Sequence, residues 1–223
     1  MINEKDKTNN QTKDSLVVTA FQTACLAIIA LIAKFIGDLL YNVYLLEQTS
    51  IQPLFWLLIS VSVLDFIELT NNLTSIKKYF KQYNGWLFMI DVATLGCFFW
   101  QVYILSKLID DFPNRTKLTG NELEQRVEGI IILSYGCIFF LYVLWNFFLK
   151  DKDKLEENDK KSIRHYSKVR LCQMIVSFLI LVFVGKIPIW ILIAYVVACI
   201  VCVFMHNRKL NIFDTIIASE NQN

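Results

Sequence analysis

Five charged residues stand out within the long apolar stretches of this sequence: Lys34, Asp38, Asp65, Glu68 and Asp91. Ionised groups in hydrocarbon are expensive, turn towards the protein interior, and mark ion paths or proton relays. Asp65, Glu68 and Asn72 stand at i, i+3 and i+7, so one helical face presents all three. Asp91 lies at a similar depth on the next apolar segment, with Thr94 a turn beyond it. These spacings predict an acidic intramembrane crevice, an ion or proton site built from Asp65, Glu68, Asn72 and Asp91. The plainer alternative is a hydrated vestibule in which Glu68 and Asp91 pair with Lys77 or Lys78. Lys34 and Asp38 are four apart on the first segment and are expected to form a membrane ion pair on one helix face.

Other chemistry finds little material. The histidines are His165 and His206, both in polar connections. There is no His-Glu-x-x-His pair, no Gly-x-Ser-x-Gly elbow and no glycine-rich phosphate loop. Ser134 and Tyr135 have no sequence partner that would make a nucleophile. The six cysteines, Cys25, Cys97, Cys137, Cys172, Cys199 and Cys202, all sit in apolar segments, where small packing residues are expected rather than disulfides or redox pairs. The reading is therefore a non-enzymatic protein with no cofactor and no metal site.

The elements that position these residues are six apolar runs, Ser15–Leu46, Pro53–Asn72, Trp86–Leu108, Val127–Leu149, Leu171–Val184 and Pro188–Met205, in a chain of 223 residues. Crossing ~30 Å of hydrocarbon takes about 20 helical residues, and most runs meet that. With 55% hydrophobic residues and a mean hydropathy of +0.45, a soluble domain of this size could not hide its apolar surface. The expected fold class is an all-α polytopic membrane bundle of about six transmembrane helices. The fifth run is the shortest. It either starts earlier, near Val169, or makes a tight hairpin with the sixth through Gly185, Lys186, Ile187 and Pro188. The first run is too long for a signal-peptide core and is expected to remain in the mature protein.

Charge orients the bundle. Of 22 Lys and Arg residues, 16 lie before the first run, in the 2–3 and 4–5 connections, or after the sixth. Five, Lys107, Arg115, Lys117, Arg126 and Lys186, lie on the other side. The positive-inside rule places both termini in the cytoplasm. Trp56, Trp100, Tyr103 and Trp190 near the outer ends, and Trp86 and Trp145 near the inner ends, fit an interfacial belt. No proline interrupts a span, which argues against a transporter of broken helices. The domain organisation expected is a disordered cytoplasmic arm over 1–14, a transmembrane domain over 15–209 with a cytoplasmic loop at 150–170, and a cytoplasmic tail over 210–223.

Two surfaces suggest partners. Residues 160–170 hold Lys160, Lys161, Arg164, Lys168 and Arg170 and no acid, a pattern suited to anionic lipid head groups or an acidic cytoplasmic protein, but too short for specific nucleic-acid readout. Ala20, Ala24, Ala27, Ala30 and Ala33 offer a close-packing stripe on the first helix, for which core packing is the plain reading and an oligomer seam the sharper one; a homo-oligomer that encloses the acidic crevice is expected. Glu68, the basic linker Lys77-Lys78-Tyr79-Phe80 and Asp91 resemble the second and third helices of voltage-sensor modules. The fourth run departs from that pattern because it contains no Arg or Lys, so gating charge is absent and no family follows. Two functions are consistent with these features. The first is an integral membrane protein, in the plasma (cell inner) membrane, that translocates a small cation or proton through the acidic crevice. The second is a membrane-embedded sensor or effector subunit, as in a defence or signalling system, acting with a cytoplasmic partner through the 160–170 segment.

Overall fold

The computed structural model describes residues 3–45, 52–79, 85–110, 120–149 and 157–209. Six helices hold all of them but Leu149 and residues 183–188: α1 (Asn3–Leu45), α2 (Gln52–Tyr79), α3 (Gly85–Asp110), α4 (Gly120–Phe148), α5 (Glu157–Val182) and α6 (Ile189–Lys209). Five contain stretches long and apolar enough to cross a membrane: Thr19–Tyr41, Pro53–Leu73, Gly85–Leu108, Glu122–Phe148 and Ile163–Val182. The sixth, Ile189–Met205, is a shorter apolar helix. The all-α membrane bundle read from hydropathy is therefore the observed architecture. Short connections make successive helices antiparallel. The principal packing partners are α1 with α2 and α3, α2 with α6, and α4 with α3 and α5. A light contact between α5 and α6 completes a ring.

The apolar periodicity of each helix decides its orientation in the ring. On α1, Phe21, Cys25, Ile28, Ile32, Phe35 and Leu39 are buried at three- and four-residue spacing. The five alanines of the same helix face outwards. Large apolar side chains also cover the outside, among them Phe147 at 76% exposure and Val182 at 73%. A surface of this kind requires lipid as its solvent. Trp56, Trp86, Trp100, Tyr103 and Trp190 are exposed as well, whereas Trp145 is half-buried.

Three expectations are corrected. Residues 3–14 continue α1 as helix rather than forming a disordered arm; a long apolar helix makes each added turn a propagation step, without a new nucleation cost. The fifth span starts earlier than Leu171, as one reading of that run allowed, and earlier than Val169 too: it covers Ile163–Val182 in a helix that starts at Glu157, so most of the basic 150–170 loop is helical. Lys34 and Asp38 form no ion pair among the described residues. Lys34 is exposed while Asp38 is half-buried, and a lysine stem that extends outwards avoids the side-chain entropy cost of pairing. The tail over 210–223 lies outside the described residues.

The α5–α6 connection is the tight hairpin anticipated. Phe183 N–H donates to Ile180 O at 2.9 Å and Lys186 N–H to Phe183 O at 2.9 Å. Gly185 turns the chain with φ of +76°, a conformation that costs L-residues with a Cβ. Pro188 then precedes the first turn of α6, where its missing N–H is not needed.

Candidate functional site

On α5 the buried residues are Arg170, Gln173 and Ser177, a polar stripe at i, i+3 and i+7, while Leu171, Ile175, Val176, Leu179 and Val182 are exposed. The helix thus turns its polar face to the protein and its apolar face to lipid, as a span bearing a charge must.

Arg170 is fully buried and meets Glu68 of α2. Its Nη2 lies 2.5 Å from Glu68 Oε1 and 2.6 Å from Oε2, with neither side chain exposed. Nη1 donates to Gln173 Oε1 at 3.0 Å, and Nη2 also contacts the Tyr166 hydroxyl. Three rings surround the guanidinium: Tyr166 at 4.4 Å, Tyr142 at 4.8 Å and Phe139 at 5.1 Å. An arginine suits this place because its planar, weakly hydrated cation pairs with carboxylate and stacks on aromatic faces together. The Tyr142 hydroxyl is within electrostatic reach of Glu68 and Asn72 but meets strict hydrogen-bond geometry with neither.

Asp65, one turn from Glu68 on the same face, has a different setting. Gln101 Nε2 of α3 donates to Oδ2 at 3.0 Å, and the Tyr135 hydroxyl of α4 lies 2.8 Å from Oδ1. The same hydroxyl lies 3.2 Å from the Val61 carbonyl. Asp65 is 1% exposed, Tyr135 and Gln101 fully buried. No cation among the described residues pairs with Asp65.

Asp91 stands apart from both. It is 5% exposed, hydrogen-bonds Trp145 of α4, lies near Cys25 of α1, and leaves its Oδ2 unpaired. Thr94, beyond it, donates to its own helix at Ile90 O, 2.8 Å.

The structure therefore gathers Asp65, Glu68 and Asn72 on one buried face, as their spacing predicts, and sends Asp91 to a separate position. The single acidic crevice is corrected to two stations and an outlier. Depth along a helix predicts which residues sit level, but not which way each points around its own axis. Arg170 is the second correction. It is not a surface residue for lipid or partner binding but the internal counter-charge of Glu68, whereas Lys161, Arg164 and Lys168 are exposed and Lys160 is half-buried. The side chains of Lys77 and Lys78 lie outside the described residues.

Sequence reasoning missed Gln101, Tyr142, Tyr166 and Gln173, and it set Tyr135 aside as a residue without a partner. A readable signal existed for α5: Arg170, Gln173 and Ser177 share a face. The six cysteines are free, with Cys199 buried and Cys202 exposed, so that pair shares no environment. No three His, Cys, Asp or Glu side chains converge as a metal site among the described residues. Comparisons with protein-family models, curated proteins and solved structures gave no match to the chain.

Proposed function

We propose that this integral membrane protein translocates protons, with Asp65 as the exchanging group and the Glu68–Arg170 pair as a fixed neighbour on the cytoplasmic side. One observation carries the reading. The Tyr135 hydroxyl has a single proton and faces two acceptors, Asp65 Oδ1 and Val61 O. With Asp65 ionised, Tyr135 donates to the carboxylate. With a proton on Asp65, the carboxyl donates to Tyr135 and Tyr135 donates to the Val61 carbonyl. Gln101 serves Oδ2 in both states. The same heavy-atom positions thus accept the carboxyl with and without its proton, as a relay needs. The scattered donors favour this over a dehydrated metal cation, which takes several oxygen ligands at once.

Reconstitution in liposomes with an internal pH dye tests it. Wild-type protein should dissipate a proton gradient. Asp65→Asn should abolish the flux, and Tyr135→Phe should slow it about tenfold, within the range for loss of one proton-transfer partner. Flux equal to empty liposomes, or a sodium or potassium current indifferent to Asp65→Asn, overturns the reading.

A second reading keeps one specific support. The exposed Lys161, Arg164 and Lys168 share one unbroken helix with Arg170. A cytoplasmic protein or anionic lipid surface gripping that basic end would act on the buried ion pair through a rigid rod. The outward alanine stripe of α1 supports self-association in either reading.

A further inference from the structure

The buried face of α4 repeats a polar group every two turns: Glu128, Tyr135 and Tyr142, at 3%, 0% and 6% exposure. Tyr135 holds Asp65, and Tyr142 stands beside Glu68 and Arg170. Glu128 occupies the first rung with no role in either station. At 1.5 Å per residue it lies about 10 Å from Tyr135, towards the α5–α6 hairpin.

Its surroundings are unusual for a carboxylate. It lines a small cavity with Ile132, Ile180, Val184, Ile187 and Leu192, so α5, the hairpin and α6 contribute only apolar walls there. The hydrogen bond it accepts is a long one, from Gly185 N–H at 3.4 Å. Glu124, a turn away on α4, acts on it electrostatically; the exposed Arg126 lies two residues before it on α4, and the exposed Lys186 follows Gly185 in the chain. A nearly buried carboxyl in an apolar pocket, with one weak donor, is built for a group that enters and leaves.

We infer that Glu128 is the outer proton-loading site of the pathway through Asp65, an inference that rests on the proposed function. A proton from the outer solution binds a Glu128 carboxylate oxygen. It leaves to water in the cavity and crosses the apolar span of Ile132 and Leu192 on transient water to Asp65. Glu128 is then a carboxylate again, and Asp65 becomes one when it releases the proton towards the cytoplasmic solution; nothing is oxidised or reduced.

The test uses full-length protein in liposomes of known orientation, comparing wild type with Glu128→Gln, Glu128→Asp and Asp65→Asn. Glu128→Gln should lower inward flux at least tenfold, while Glu128→Asp retains most of it. An independent readout is carbodiimide modification of the wild-type protein, mapped by peptide mass spectrometry, because the reagent attacks the protonated carboxyl. Modification of Glu128 should fall as the outer pH rises and ignore the inner pH. Abolished flux in Asp65→Asn with unchanged flux in Glu128→Gln overturns the loading site and leaves the relay standing. A wild-type protein without flux overturns both. Should Glu128→Gln not fold, modification that follows the inner pH overturns the loading site.

Discussion

Replacing Arg170 with methionine removes the cation and keeps a flexible side chain of similar length. The guanidinium leaves behind Glu68, fully buried and within 2.5 Å of the lost partner. Gln173 Oε1 and the Tyr166 hydroxyl lose their contacts too. Removing one partner of a buried pair costs roughly 3–5 kcal/mol, because the survivor stays desolvated without its counter-charge. The three ring contacts add about 0.5–1 kcal/mol each as cation–π interactions, part of which methionine recovers by packing against the same rings. At about 1.4 kcal/mol per tenfold, the folded-to-unfolded ratio should drop at least a hundredfold. The double change Glu68→Gln with Arg170→Met should be less harmful than Arg170→Met alone, since it removes the orphaned charge. Unfolding in mixed micelles with increasing SDS, followed by tryptophan fluorescence, compares Arg170→Met, Glu68→Gln and the double variant with wild type. A cost for Arg170→Met below about 1 kcal/mol, or a double variant equal to the sum of the singles, refutes a buried, coupled pair and returns Arg170 to the surface.

Two further substitutions probe the packing that holds α5 in place. A Cβ on Gly136 would already meet the Phe178 ring at 3.4 Å, so Gly136→Leu should part α4 from α5 and cost about 1–3 kcal/mol as overpacking. Gly129→Ala, whose nearest neighbour is 3.9 Å away, is the matched control and should be close to neutral in the same unfolding assay. Gly185→Ala should cost about 1–2 kcal/mol for its positive φ, plus a clash with Gln125 at 2.8 Å. Adding Gln125→Ala should recover only the steric part, and full recovery in a thermal melt would show that the turn needs space rather than glycine.

How much of this was readable follows from what kind of information each feature needs. A span is a local property: about 20 apolar residues in a row announce themselves, and α2, α3 and α4 contain spans close to those read from hydropathy. A helical face is nearly local, so Asp65, Glu68 and Asn72 could be placed together from spacing. The partner of a buried charge is not local. Glu68 and Arg170 are 102 residues apart, and Asp65 and Tyr135 are 70. What hid Arg170 was its company. It closes a run of basic residues that the positive-inside rule explains in full, and a span that starts at Leu171 separates it from Gln173 and Ser177. Had the polar stripe been followed one turn towards the basic run, the rule that a charge in a span needs a partner would have set Arg170 against an acid of α2 or α3. The choice between Glu68 and Asp91 would still have needed the rotation of each helix, and that is fixed by packing. α3 turns Gln101 towards Asp65, leaving Asp91 to Trp145 and Cys25. The same reasoning explains Glu128. A lone glutamate near the start of a span reads as an interfacial residue, and it becomes a candidate site only when the α5–α6 hairpin folds over it and Gly185 presents its N–H. Chemistry at a helix end is thus decided by what covers the end, which in this bundle is the turn that Gly185 makes.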